Sequence, residues 1–211
     1  MQHVTEADIP TTTLADLLDR TQVMDIGIRP LWPGMPRIAG PAFTVRCPPG
    51  NNLMLHAAIH RAAPGDVVVV ESGDLDYALA GGNVCAVAQR RGIAGFVLDG
   101  LIRDLTEIQT MGFPVHARGL IPIPGAKTAI EPLNASCACG GVIVHPGDMV
   151  VADDDGIVVV PHARTRQVLT AARAKLDRET GESLAEWQET HRARINAILR
   201  QGGFTESPPI G

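Results

Sequence analysis

The chain has 211 residues, 45% of them hydrophobic and 19% charged, enough for one sizeable core or at most two small ones. A formal net charge of -5 with no dense Lys/Arg stripe argues against nucleic acid as a direct ligand, because phosphate-backbone binding needs clustered cations that release counterions. No apolar run approaches the roughly 20 residues of a membrane span, and "MQHVTEADIP" lacks the apolar region of a secretory signal, so no membrane role and a reducing cytoplasm are the expectation.

In chain order, "TTTLADLLDRTQ" (11–22) sets Leu14, Leu17 and Leu18 at helical spacing behind threonines that can cap, and predicts a short amphipathic helix. "GPAFTVRCPPGNN" alternates like a strand and ends in a turn, and "LMLHAAIHRAAPGD" reads as a helix stopped by Pro64 and Gly65. A regular succession follows: the apolar strand "DVVVVES" (66–72), a helix within "DLDYALAGGNVCAVAQRRG" ending at Gly92, and the strand "IAGFVLDG". It continues with the short helix "RDLTEIQTMG" closed by Gly112 and the strand "FPVHARG". Strands buried on both faces and alternating with helices predict a parallel β-α-β core in an α/β fold. From residue 125 on, "GGVIVHPGDMVVADDDGIVVVP" offers two or three strands without intervening helices, expected to pair antiparallel as a second, smaller sheet. A C-terminal helix is expected from about 162 to 200, interrupted near Gly181, before the frayed tail "GGFTESPPIG". With neither repeat nor linker, residues 1–211 are expected to form one domain.

Ligands of parallel α/β sheets collect outside the carboxyl ends of the strands, where helix N-termini present free N–H groups. Two such ends carry suggestive residues. In "AGGNVCAVA", Gly81 and Gly82 would let backbone approach a ligand and Asn83 could cap a helix starting near Val84, so the amides of Gly81 to Val84 suit a carboxylate. In "LDGLIRDLTEI", Arg103 and Asp104 stand side by side where a strand gives way to a helix. The pattern leaves two roles open for them: an ordinary helix-start ion pair favoured by the helix dipole, or a cation for a carboxylate beside a hard oxygen ligand for Mg²⁺.

Other candidates are weaker. His56 and His60 are four apart, but "HAAIH" lacks the glutamate of H-E-x-x-H, and structural roles are expected for them. "ADDDG" (152–156) lacks the alternating ligands of a calcium loop and reads as a tight turn between strands. Cys47, Cys85, Cys137 and Cys139 contain no C-x-x-C pair, so neither a zinc knuckle nor a disulfide framework is implied. No nucleophile elbow, P-loop or dinucleotide glycine motif is present.

Three blocks in order, "GNNLMLHAAIHRAAPGDVVVVES", "ALAGGNVCAVAQRRGIAGFVLDGLIRDLTEIQTMGFPVHARG" and "VHPGDMVVADDDGIVVVP", resemble the family of regulator of ribonuclease activity A and the class II 4-hydroxy-4-methyl-2-oxoglutarate (4-carboxy-4-hydroxy-2-oxoadipate) aldolases. The resemblance runs from about residue 12 to about residue 180. It implies a swivelling α/β/β sandwich assembled as a homo-oligomer, a trimer or dimer of trimers, with sites between subunits. It further implies that Arg103 binds substrate, that Asp104 holds Mg²⁺ or Mn²⁺ with waters, and that the amides of Gly81, Gly82, Asn83 and Val84 bind a pyruvate carboxylate. A carboxylate from the neighbouring subunit's C-terminal helix, matched here to Glu179, also approaches the metal.

The activity implied is a carbon–carbon lyase acting on 2-oxo acids through a pyruvate enolate, as an aldolase, an oxaloacetate decarboxylase or both. Aldol cleavage needs a base for the hydroxyl proton, whereas decarboxylation does not. The family's aldolases carry an acidic residue where this chain has Gly82, which favours decarboxylation; Asp74 and Asp76 are the upstream carboxylates that could substitute. The alternative implied by the same resemblance is a non-catalytic regulator that docks onto ribonuclease E. A methyltransferase role is not expected, because no glycine-rich nucleoside-binding turn follows a first strand.

Overall fold

The computed structural model describes residues 8–205; the start of the N-terminal stretch and the end of the expected frayed tail lie outside the described residues. The described chain divides into two compact units, one up to residue 173 and one from residue 174.

The first unit opens with helix α1 (Thr11–Ala15) and a 3-10 turn (Arg20–Gln22), where the sequence predicted one helix over 11–22. The capping threonine is recruited elsewhere. Thr11 gives its N–H to Asp153 Oδ2 at 3.0 Å and its hydroxyl to Asp153 Oδ1 at 2.6 Å, so a distant carboxylate, not a local cap, anchors the start of the helix. Then come β1 (Arg29–Pro30), β2 (Ile38–Cys47), α2 (Leu53–Ala58), β3 (Val67–Ser72), β4 (Ala78–Ala80), α3 (Gly82–Arg90), β5 (Gly95–Ile102), α4 (Leu105–Met111) and β6 (Val115–Leu120). After these lie β7 (Cys137–Cys139), β8 (Val142–Val144), β9 (Met149–Asp153) and β10 (Gly156–Val160).

An eight-stranded mixed sheet has the order β1-β6-β5-β3-β2-β9-β10, with β4 beside β5. Its centre is the expected parallel core: β2, β3, β5 and β6 run parallel in succession. The run of four valines in β3 shows why. Val68 and Val70 join Phe96 and Leu98 under helices α2, α3 and α4, while Val67 and Val69 join Val97, Cys137 and Cys139 on the opposite face. All four valines are fully buried, each worth about 1.5 kcal/mol or more of apolar transfer, so an alternating pattern would waste half the strand.

The expected second sheet is smaller than the sequence suggested. Only β7 and β8 form a separate antiparallel pair. β9 instead pairs antiparallel with Ile38–Pro41 of β2, and β10 follows it into the large sheet. The physical reason is the length of β2: its second half, Ala42–Cys47, pairs with β3, and its first half presents an edge that would otherwise leave backbone groups unpaired. The β7–β8 hairpin is pinned by two carboxylates at paired positions of β3 and β5. Glu71 accepts from Ala138 N–H at 2.8 Å, and Asp99 accepts from Gly140 N–H at 2.8 Å.

Helix α5 (Thr165–Gly181) follows a 3-10 turn (His162–Arg164), and its first half buries Val168, Leu169 and Ala172. The second unit holds the end of α5 and helix α6 (Leu184–Gln201). A break at residues 182 and 183 is enforced by Ser183, whose hydroxyl accepts from Glu186 N–H while Glu186 accepts from Ser183 N–H, a reciprocal cap that starts a new helix. No helix among the described residues is long and apolar enough to cross a membrane.

Candidate active site

The carboxyl ends of β4 and β5 meet the N-terminus of α3, and both sequence candidates arrive there. Ala80 O accepts from Arg103 N–H at 3.0 Å, which ties the strand ends together immediately before Gly81 and Asp104. The helix begins two residues earlier than the Asn83 cap predicted: Gly81 is the N-cap and Gly82 the first helical residue. No side chain caps α3 from within. Asp104 does so from outside, its Oδ2 accepting from Gly82 N–H at 3.0 Å.

Asp104 achieves this at a backbone cost. Its φ of 62° and ψ of 38° are left-handed, a conformation that costs a non-glycine residue about 1–3 kcal/mol and that concentrates at functional sites. Although it precedes α4, its carboxylate makes no capping bond to its own helix; the backbone turns it toward α3 instead. Glycine at 81 is needed for that approach, since a Cβ there would overlap Asp104 Oδ2 and press on Arg103. Arg103 and Asp104 do form a pair, but a loose one at 3.6 Å with both side chains about 40% exposed (41% and 38%), so each retains capacity for a ligand.

Around them lies a recessed cavity of about 170 Å³, lined by Asn52 and His56 from the start of α2, Ala78–Ala80, Gly81, Asn83, Val84, Arg103, Asp104, Pro124 and Lys127. Gly81, Asn83, Val84, Arg103 and Asp104 are thus brought together as the sequence suggested, and Gly82 lies between them in the chain. The first intrahelical bond is Cys85 N–H to Gly81 O, so the N–H groups of Asn83 and Val84 stand at the open end of α3. Glu179 belongs to the second unit, where it pairs with Lys175 at 2.5 Å one helical turn away. It also borders a larger, more open depression lined by Lys175, Asp177, Glu182 and Glu186; its rim of mixed charge has none of the convergence of strand ends, helix amides and buried polar atoms found around Asp104.

Three lining residues escaped the sequence reading. Lys127 sits in a loop whose backbone is laced across the cavity: Asn52 N–H donates to Ala126 O at 2.9 Å, Gly125 N–H to Ala78 O at 3.2 Å, and Ala126 N–H to Gly50 O at 2.7 Å. His56, expected to be structural, faces the cavity. Burial first, then the charges of Lys127, His60 and Arg103, lower its pKa, so it stands there as a neutral imidazole. Asn52 is 3% exposed. Its amide donates to Ala78 O at 3.2 Å, which fixes its orientation and leaves Oδ1 a buried acceptor with no partner among the described residues. Such an atom calls for a donor, the role that a buried water commonly fills.

The donor set also decides which metal the residues suit. Among the described residues no group of three or more His, Cys, Asp or Glu converges, which does not suit a closed zinc-type cage. One carboxylate, Asp104, in a polar cavity fits a hard divalent cation that keeps most of its waters. Cys85, in the first turn of α3, has its thiol pushed up to about 12 by burial and by the charge of Asp104, so it is no nucleophile at neutral pH.

A family model described as Aldolase/RraA, RraA-like, matches residues 11–159. The chain belongs to the RraA-like family. Over 168 residues it is 40% identical to a protein of Halalkalibacterium halodurans named "Putative 4-hydroxy-4-methyl-2-oxoglutarate aldolase", an overlap of 79% of this chain and 80% of that one. Among solved structures it resembles Streptomyces coelicolor RraAS2, described as an unusual member of the RNase ES inhibitor RraA protein family, with a TM-score of 0.72, 29% identity and coverage of 89% and 93% of the two chains. It also resembles the RNA-processing inhibitor RraA from Thermus thermophilis, with a TM-score of 0.65, 28% identity and coverage of 72% and 92%. The matched span of the RraA-like family contains every residue that lines the cavity and excludes Glu179.

Proposed function

We propose that this RraA-like chain is a divalent-metal-dependent carbon–carbon lyase acting on 2-oxo acids through a pyruvate enolate, of the aldolase or oxaloacetate decarboxylase type. The observation that carries the reading is the left-handed Asp104, held at a backbone cost against the amide end of α3 and beside a loosely paired arginine. A structural ion pair needs neither the strain nor the glycine that permits it.

Arg103 takes the carboxylate of the 2-oxo acid, which its guanidinium can bind with two hydrogen bonds. The N–H groups of Asn83 and Val84 complete that contact and orient the oxo group toward Asp104. Asp104 and waters would hold Mg²⁺ or Mn²⁺, with Glu179 of a neighbouring copy as a further ligand in a trimer or dimer of trimers. A divalent cation there supplies Lewis-acid polarisation of an oxo group and charge for the electron pair released when a carbon–carbon bond breaks. Lys127 adds positive charge to the lining, and neutral His56 offers a hydrogen bond without repelling a cation. The buried apolar side chains of Ala78–Ala80 limit water around the reacting carbons.

The test is pyruvate release from oxaloacetate and from 4-hydroxy-4-methyl-2-oxoglutarate, with Mg²⁺ and after chelation. Metal-dependent pyruvate that disappears in Arg103→Ala and Asp104→Ala supports the lyase. Two solved structures of the fold are described as inhibitors of RNA processing or of an RNase, which makes the ribonuclease E-docking regulator the second reading. No turnover, with ribonuclease binding insensitive to Asp104→Ala, would establish that role instead.

A further inference from the structure

We propose that the 2-oxo acid taken at this site carries an uncharged, apolar group beyond the scissile bond, and that Leu105, Leu120, Ile121 and Pro122 receive it. The inference rests on the lyase reading above and narrows its substrate class. A second cavity, of about 290 Å³, adjoins the one already described: Arg103 and Asp104 line both, and the rest of its lining is Leu105, Leu120, Ile121 and Pro122. The two charged residues are therefore a shared wall with opposite surroundings. On one side lie Asn83 and Val84 of the α3 amide end, His56 and Lys127; on the other no further side chain carries a charge or a hydrogen-bonding group.

Size divides a ligand between them. Small-molecule sites commonly hold about 300–1,000 Å³; the polar cavity, at about 170 Å³, falls below that range, and the two cavities together fall within it. With the carboxylate and oxo group held by Arg103, the α3 amides and Asp104, the rest of a longer acid crosses the shared wall. The apolar side is already in place. Leu105 opens α4 directly after Asp104, and Leu120 ends β6 where it pairs with Ile102. Ile121 N–H donates to Ile102 O at 2.9 Å and Ala78 N–H to Ile123 O at 2.8 Å, so one stitched segment presents Leu120, Ile121 and Pro122 to the second cavity and Pro124 to the first. Groups fixed before binding cost little ordering entropy. An exposed leucine by itself is ordinary. Leu120 is 51% exposed, but it stands with three other apolar residues against the pair that holds the reacting group. A second carboxylate there would lose water against those side chains and meet the charge of Asp104, with Arg103 already engaged.

The products of such an acid are pyruvate and an apolar aldehyde. In a 4-hydroxy-2-oxo acid with an alkyl group on its fourth carbon, the hydroxyl proton leaves to water, and the oxygen's electron pair becomes the second bond of the new carbonyl. The bond between the third and fourth carbons breaks, and its pair moves to the 2-oxo group as the enolate. The third carbon then takes a proton from water and becomes the methyl group of pyruvate. No oxidant or co-reactant is consumed. The alkyl group takes no part in these transfers, so its contribution is binding alone.

The experiment measures pyruvate, with Mg²⁺, from 4-hydroxy-2-oxo acids bearing methyl, ethyl or propyl on the fourth carbon, from 4-hydroxy-4-methyl-2-oxoglutarate and from oxaloacetate, in the wild type and in Leu120→Lys. In the wild type kcat/KM should rise about fourfold for each carbon added, the gain from taking one CH₂ group out of water, and the propyl acid should exceed the carboxylate-bearing one. Leu120→Lys should flatten the series and favour the carboxylate-bearing acid. Binding is read apart from turnover by calorimetry with 2-oxoglutarate and with 5-methyl-2-oxohexanoate, whose two methyl groups replace the distal carboxylate oxygens; the second should bind more tightly. A flat series, or a wild type that prefers the distal carboxylate in turnover or in binding, overturns the proposal and leaves the lyase reading standing. So does a Leu120→Lys variant whose mass in solution changes while the series does not, since a second copy of the chain would then cover the cavity. A wild type that releases pyruvate from none of these acids removes both.

Discussion

Two arginine–carboxylate groupings draw on β5, one from within the strand and one just past its end, and they are built in opposite ways. In the first, Arg118 of β6 pairs with Asp99 of β5 and with Asp25 at 2.9 Å, while Asp99 also accepts from Gly140 N–H and Asp25 from Gly27 N–H at 2.8 Å. The arginine is 25% exposed, and Asp99 and Asp25 are tied to backbone amides as well as to it. In the second, Arg103 and Asp104 touch at 3.6 Å, are more open to solvent than Arg118 and Asp99, and lie beside a cavity, with Asp104 on a left-handed backbone. The first clasps the β7–β8 hairpin to the sheet; the second holds its capacity in reserve. A charged pair is read by what its remaining donors and acceptors are doing, not by its being a pair.

Exchanging amide for carboxylate at the two sites should separate them. Asp104→Asn keeps the shape, the hydrogen bond to Gly82 and an acceptable left-handed residue, but loses the anionic oxygen. Pyruvate formation should fall about 100- to 1,000-fold, with the melting temperature within about 2 °C of wild type, less than 1 kcal/mol is worth in a chain of this size. Asp99→Asn should do the reverse, costing about 2 kcal/mol through a weakened charge-assisted network, or roughly 4–8 °C, with turnover largely kept. Thermal melts and pyruvate assays on both variants decide it, and equal effects at the two sites would dissolve the distinction.

A smaller effect separates the clasped body from the site by pH. Burial lowers the pKa of His116, whose Nε2 lies 3.2 Å from Asp153 O, and burial with neighbouring cations lowers that of half-buried His56. A histidine depressed in the folded state binds fewer protons there than in the unfolded chain once the pH drops past about 6.5, so stability falls as the pH falls. Melting temperature should hold from pH 8 to 7 and decline below about 6.5. His116→Gln should flatten the decline more than His56→Gln, because His116 is fully buried; no difference between the two would mean that burial does not set the slope.

How much of this was legible in the sequence follows from the range of each interaction. The valine run of β3, the helix ending at Gly112 and the parallel core are local or repeat locally, and they could be read. The pairing of β9 with β2 could not, because two edges more than 100 residues apart leave no mark in either segment alone. Arg103, Asp104 and the Gly81–Val84 amides were visible because strand ends and helix starts are visible. Asn52, His56 and Lys127 were not: one precedes a short helix, one resembled a core histidine, and one lies in a loop positioned largely by backbone bonds to Gly50, Asn52 and Ala78. Nor does any residue pattern announce that Asp104 is left-handed or that Glu107 fills the space over Gly82; both are products of how α3 and α4 meet.

The most direct measurement is a crystal structure of the protein with Mn²⁺ and oxalate, located by anomalous scattering. The account predicts an Mn²⁺ ion on an Asp104 oxygen, with oxalate between that ion, the Arg103 guanidinium and the Asn83 and Val84 amides. An ion bound elsewhere, such as in the charged depression beside Glu179 with the Asp104 cavity holding neither ion nor oxalate, would contradict it.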